Sequence, residues 1–172
     1  MIGIFGGAFD PVHFGHLRTA LEVREALDLQ EIRLLPLNVA VHRAQPAADG
    51  ALRLRMLKAA VAQVPELVAD DRELTRPGGS YTVDTLAQFR DALGPDVPLC
   101  LLVGGDAFNA FFEWHRPRDI LGLAHLAVVR RPGSLLPRDA ALRETLEQRR
   151  TERPADLHAA PAGRIWLQSV TQ

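Results

Sequence analysis

The chain has 172 residues, 47% of them apolar, enough to bury one substantial core and too few for two comfortable domains. Its net charge of −1, with acidic and basic residues interspersed, gives no electrostatic reason to expect nucleic acid or an anionic membrane surface as a partner. No charged-then-apolar leader opens the sequence and no apolar run approaches the ~20 residues of a membrane span, so a soluble, cytoplasmic protein is expected.

Strand-length apolar runs alternate with segments of helical period. Ile2 to Phe5 is the first predicted strand. After a glycine turn, Leu17, Ala20, Val23 and Leu27 recur at spacings of three and four, giving a helix with one buried stripe. Ile32 to Leu35 is a second strand, followed by a loop with Pro36, Asn38, His42, Arg43 and Pro46 and by a helix over Leu52 to Val64. Leu67 to Ala69 is a short strand, and Tyr81 to Leu93 a helix with Ser80 placed to cap it. Leu99 to Val103 is the most apolar strand, ending at Gly104 and Gly105; Cys100 within it reads as a packed thiol, in keeping with a reducing compartment. Helices over Asp106 to Trp114 and Arg118 to Leu123, a strand over Leu126 to Val129, a helix over Leu142 to Arg149, a connector and a last strand over Ile165 to Val170 complete the chain. The pattern is that of a single doubly wound α/β domain with a mostly parallel sheet.

Ligands of such sheets bind beyond the carboxyl ends of the strands. Gly6 and Gly7 follow the first strand, and Gly15 stands at the start of the helix, whose unpaired N–H groups and positive dipole end favour a phosphate. His13 and His16 are three apart, so both rings can face one point above the first helical turn and donate to phosphoryl oxygens, more strongly when protonated. A zinc pair and two surface histidines without a role are the alternatives; zinc needs further ligands, and none stands at an obvious spacing. The dinucleotide fingerprint GxGxxG is absent, which counts against a dehydrogenase.

GGAFDPVHFGH at residues 6 to 16 resembles the HxGH signature of the nucleotidyltransferase superfamily, which implies a Rossmann-like nucleotidyltransferase domain and attack on the α-phosphorus of a nucleoside triphosphate. SYTVDTL at 80 to 86, GGDAF at 104 to 108, Trp114 and VVRRPG at 128 to 133 follow in the order and approximate spacing of bacterial nicotinate mononucleotide adenylyltransferases. Phosphopantetheine adenylyltransferases carry a threonine at the position of His13 and lack the second segment. The resemblance spans essentially the whole chain. It implies catalytic roles for His13 and His16, and an ATP site built from Gly6, Gly7, Ala8, Phe9, His16, Gly104, Asp106 and Arg131. It implies a mononucleotide site built from Asn38, His42, Arg43, Tyr81, Thr82, Thr85 and Trp114, with Trp114 stacked on the pyridine.

The residues allow plainer readings beside these. Ser80 and Asp84 suffice as helix-capping residues, Trp114 as core, Asp106 as an N-cap and Arg131 as a solvated cation. Backbone N–H groups and hydroxyls near Tyr81, Thr82 and Thr85 suit a carboxylate better than a carboxamide. The expected reaction is adenylyl transfer from ATP to nicotinic acid mononucleotide in NAD biosynthesis, with Mg²⁺ held mainly by the phosphates and a homo-oligomer allowed. Transfer to nicotinamide mononucleotide and a nucleotide-binding module without catalysis are the rivals.

The sequence departs from the family pattern at three places. Ala8 replaces a threonine or serine after the paired glycines, and Ala40 and Val41 stand where a pair of prolines precedes the histidine. The resemblance also implies a second phosphate-binding turn, an ISSTxIR-like motif; the sequence ends at Gln172 ahead of it, and truncation is the favoured reading.

Overall fold

The computed structural model describes residues 1–134 and 136–171. Six apolar segments become six strands: β1 (Ile2–Gly7), β2 (Glu31–Pro36), β3 (Leu67–Ala69), β4 (Leu99–Gly104), β5 (His125–Arg130) and β6 (Ile165–Ser169). All neighbours pair in parallel, in the order β3-β2-β1-β4-β5-β6. Consecutive parallel strands require crossovers, and the helices supply them: α1 (Phe14–Leu27), α2 (Gly50–Val61), α3 (Arg72–Thr75), α4 (Thr82–Leu93), α5 (Gly105–Asn109), α6 (Pro117–Leu123), α7 (Ala140–Arg149) and α8 (Pro154–His158). The order reverses between β1 and β4, which places a crevice at their carboxyl ends.

A strand covered on both faces sends alternate side chains to opposite cores. In β4, Leu99, Leu101 and Val103 enter the core shared with α4, α6 and α7, while Cys100 and Leu102 enter the one shared with α1, α2 and α8. Cys100 is wholly enclosed and burial pushes its thiol up to about 12, as the packed-thiol reading requires.

Several predicted elements move at their edges. The helix expected over Asp106 to Trp114 is α5 followed by a 3-10 turn, Phe111–Glu113, which leaves Trp114 beyond its end. Asp106 lies inside α5, whose N-cap is Gly104, so it is no N-cap. Helix α3 goes unread in the sequence because four residues are too few to display a helical period. Helix α8 lies within the expected connector, where Pro154 opens it at the first position.

Two polar groups, the buried His125 and the partly buried Arg90, fasten the loops. The Nδ1 atom of His125 accepts the Arg164 N–H at 2.9 Å, and its Nε2–H is shared between the Leu157 and Ala160 carbonyls at 2.9 and 2.7 Å. Arg90 donates to the carbonyls of Leu123, Gly94, Val97 and Pro161 at 2.8, 3.1, 2.6 and 2.8 Å. Among the described residues no helix is long and apolar enough to cross a membrane.

Candidate active site

Construction of the site begins at the N-terminus of α1. His13 is the N-cap residue, in extended conformation, and its Nδ1 accepts the Gly15 N–H at 3.1 Å. The Nδ1 of His16 accepts the His13 N–H at 3.1 Å, so the two imidazoles form a reciprocal cap of the kind that serine and glutamate usually make. With both Nδ1 atoms accepting, both mobile protons sit on Nε2, and each ring keeps one outward donor. The rings stack with centroids 3.8 Å apart. Burial, and then the neighbouring His13, lower the pKa of His16 to about 4. His16 is therefore a neutral donor in the free protein, without the added strength that protonation would give it.

Glycine is required at position 15 for a steric reason. A Cβ there would lie 2.9 Å from Cε1 and 3.0 Å from Nδ1 of His13. Gly6 and Gly7 do not adopt positive φ; a Cβ on Gly6 would meet nothing closer than 3.9 Å. The protein thus leaves the space beside Gly6 open.

The Phe9 ring is 2% exposed and stands edge-on to His16 at 5.0 Å, so its side chain packs against that imidazole and leaves only its backbone open to a ligand. Ala8 is braced from behind, its carbonyl accepting from buried Arg53 of α2 at 2.9 Å. The Asp10 carboxylate accepts the Ala47 and Ala48 N–H groups at 2.7 and 3.2 Å, tying the glycine turn to the lead-in of α2.

Beyond β1 and β4 opens a cavity of about 560 Å³. It is lined by Gly6, Gly7, His42, Arg43, Tyr81, Thr82, Gly104, Asp106 and Trp114 from the predicted set, together with Leu37, Glu73, Ser80 and His115. Tyr81 is the N-cap residue of α4 and no side chain caps that helix. Ser80 is thus not the predicted cap; its Oγ accepts the Asn38 N–H at 2.8 Å. The open first turn of α4 faces the cavity beside the hydroxyl of Thr82. Trp114 is half-buried, anchored by donation from its indole N–H to the Ala107 carbonyl at 3.2 Å and set edge-on to Phe111. His115 lies over the Tyr81 ring at 4.6 Å.

Seven predicted residues do not line this cavity: Ala8, Phe9, His13 and His16, which belong to the turn and helix start that follow Gly7, and Asn38, Thr85 and Arg131. Thr85 is 2% exposed; its hydroxyl donates to Glu73 at 2.9 Å and its N–H to the Tyr81 carbonyl, so it has no donor left for a ligand. The Asn38 amide donates to the Arg76 carbonyl at 3.2 Å. Arg131 is exposed and lines neither this cavity nor the hollow beside it; its neighbour Arg130 does line that hollow, of about 310 Å³, with Asp106, Val128, Gly133 and Leu167. Sequence reading overlooked Glu73, His115, Arg53 and Gln45. The HRAQP run around Gln45 is the one local clue among them.

Gln45 answers the missing prolines. Its side-chain amide both accepts from the Ala40 N–H, at 3.0 Å, and donates to the Ala40 carbonyl, at 2.9 Å. A proline at position 40 has no N–H to give. The same loop bridges Val39 to Gly79, where a Cβ would fall 2.6 Å from Val41, so residues 38 to 43 are seated against the 79–82 segment. The sequence end at Gln172, and with it the question of a further phosphate turn, lies outside the described residues.

Comparison with known proteins gives one answer. The cytidylyltransferase-like family model matches residues 4–163. Two relatives, both named "Probable nicotinate-nucleotide adenylyltransferase", come from Methylococcus capsulatus and Marinobacter nauticus. The first is 50% identical, covering 100% of this chain and 82% of its own. The second is 47% identical, covering 94% and 75%. Among solved structures, a Plasmodium falciparum nicotinic acid mononucleotide adenylyltransferase complexed with NaAD superposes with a TM-score of 0.72 at 15% identity, over 99% of this chain and 75% of that one. The same enzyme complexed with APC gives 0.68. The chain belongs to the cytidylyltransferase-like family and, within it, to the nicotinate-nucleotide adenylyltransferases.

Proposed function

We propose that the protein transfers the adenylyl group of ATP to nicotinic acid mononucleotide, giving nicotinic acid adenine dinucleotide and pyrophosphate. The observation that carries this reading is the tautomer-fixed pair of Nε2–H donors on His13 and His16, held at a helix N-terminus beside the β1–β4 crevice. One phosphate oxygen of the acceptor attacks the α-phosphorus in line, and the bond to the β-phosphate oxygen breaks. The acceptor is already an anion, so no general base is needed, and positioning with charge stabilisation dominates.

The triphosphate lies over Gly6, Gly7 and the first turn of α1, with the histidine protons directed at its oxygens. Because the imidazoles arrive already oriented by their own backbone bonds, they require no rearrangement as negative charge moves toward the leaving oxygen. Asp106 takes ribose hydroxyls, and the hollow lined by Val128, Arg130 and Leu167 takes the adenine. Magnesium would arrive on the triphosphate and withdraw charge from it.

The acceptor occupies the other end. Its carboxylate meets the uncapped first turn of α4, where N–H groups and the Thr82 hydroxyl provide donors, and its ring packs on Trp114. His42 and Arg43 close on its phosphate from the loop that Gln45 holds. Small, charged, water-soluble substrates and a buried thiol support a cytoplasmic location.

A pyrophosphate-release assay with nicotinate and nicotinamide mononucleotides at equal ATP and Mg²⁺ tests the reading. Faster turnover of the acid is expected. Equal or better use of the amide defeats the substrate assignment, and binding without pyrophosphate release defeats the catalytic one.

A further inference from the structure

Glu73 is a buried acid lining the cavity that the reaction above leaves without a task. It lies in α3, 8% exposed, and its Oε2 accepts the Thr85 hydroxyl at 2.9 Å. Thr85 Oγ1 in turn accepts from Arg76 Nη2 at 3.0 Å, and the same guanidinium reaches the Tyr81 carbonyl at 3.4 Å. The chain of bonds continues from the Arg76 carbonyl to the Asn38 amide at 3.2 Å, and from the Asn38 N–H to Ser80 at 2.8 Å. The same Oε2 lies 4.0 Å from where a Cβ on Gly6 would be. The start of α4 and the 38–43 loop, distant in sequence, are therefore tied through Thr85 and Arg76 to one carboxyl group.

An apolar side chain would fill this position without desolvating a carboxyl group. Burial, and to a smaller extent Asp70, raise the Glu73 pKa, against which Thr85, Arg76 and Ser80 act. We infer that Glu73 is a positioning residue for the acceptor mononucleotide: through Thr85 and Arg76 it fixes the open first turn of α4 and the 38–43 loop as one body. The donors for the acceptor's carboxylate and phosphate are thereby held at a set separation. Glu73 touches no reacting atom, so its loss falls on acceptor binding and spares ATP and the chemical step. The inference rests on the acceptor end of the proposed function.

The test measures kcat and separate KM values for nicotinate mononucleotide and ATP in the wild type, Glu73→Ala, Glu73→Gln and Thr85→Val. Glu73→Ala and Thr85→Val are each expected to raise the acceptor KM about tenfold, with the ATP KM and kcat within about threefold. Glu73→Gln, whose amide oxygen still accepts the Thr85 hydroxyl, restores the acceptor KM. The double variant Glu73→Ala with Thr85→Val is no worse than the poorer single one, because both remove the same bond. An unchanged acceptor KM in Thr85→Val, an equal rise in both KM values, or a Glu73→Gln as impaired as Glu73→Ala overturns the inference. Should Glu73→Ala fail to fold, Thr85→Val and Glu73→Gln decide the matter. Calorimetric binding of nicotinate mononucleotide to the same variants reads the same loss without turnover. Absence of pyrophosphate from the wild type is thus a failure of the catalytic reading, and unchanged affinity in the variants is a failure of this one.

Discussion

Replacing Gly15 with alanine separates what the first turn of α1 does for stability from what it does for catalysis. The new Cβ would lie 2.9 Å from Cε1 and 3.0 Å from Nδ1 of His13, closer than carbon and nitrogen tolerate, so the imidazole must move. Its movement breaks the 3.1 Å cap bond to the residue 15 N–H, a loss of about 1 kcal/mol. Alanine inside a helix gains about 1 kcal/mol over glycine, and Gly15 has no positive φ to forbid it. The two terms offset, and the thermal midpoint is expected to stay within about 4 °C of the wild type. Turnover does not share that compensation. A displaced ring no longer aims its Nε2–H at the phosphate, and a shift of about 1 Å in a positioned group costs up to about 10²-fold. Pyrophosphate release at saturating substrates, measured beside a calorimetric melting curve, is therefore expected to fall about 10- to 100-fold at nearly constant stability. Wild-type turnover in the variant would refute the argument that the cap bond aims His13. A midpoint lowered by ten degrees or more would refute the claim that its energy is offset.

His16→Ala should lower kcat by about 10² to 10³, the scale for losing one preorganised donor; near-wild-type turnover removes His16 from the mechanism. In the free protein, NMR titration of His16 should show a midpoint near about 4, and an ordinary histidine value would contradict the buried, neutral donor. Burial also lowers the pKa of His125 below its unfolded value of about 6.5. The neutral ring's contribution to stability is then fully present above about 6.5 and is lost as pH falls from there toward the folded value. His125→Asn should accordingly lose less of its urea midpoint between pH 7 and pH 5 than the wild type; equal losses clear His125 of the role. Arg90→Ala should destabilise by about 3 kcal/mol, since it strands carbonyls of three separate loops, and urea unfolding within about 0.5 kcal/mol of wild type would show that water replaces the guanidinium.

The parts of the site that were legible in sequence share one property, that their geometry is local. His13, Gly15 and His16 belong to a single helical turn, so their spacing already fixes which atoms meet. Tyr81 and Thr82 open a helix whose apolar period is plain, and Gly6, Gly7, Gly104 and Asp106 follow strands whose parallel pairing brings their ends together. Thr85, Asn38 and Arg131 stand outside the cavity for the opposite reason. A hydroxyl or amide can face a substrate or a neighbour, and Glu73, Arg76 and Ser80, which claim two of these three, come from elsewhere in the chain. Glu73 itself sits in a four-residue helix that leaves no periodic trace.

The sequence by itself determined the alternating α/β architecture, the phosphate-binding turn with its histidine pair, and membership of a nucleotidyltransferase family, because periodicity and short-range spacing are properties of consecutive residues. Only the tertiary structure decided which nitrogen of each histidine is free, that His16 is neutral, that Gln45 holds the Ala40 loop, and that Glu73 is tied through Thr85 and Arg76 to the start of α4 and the 38–43 loop. Those outcomes depend on which distant groups compete for each donor and on how much water burial removes, and neither exists until the chain has folded.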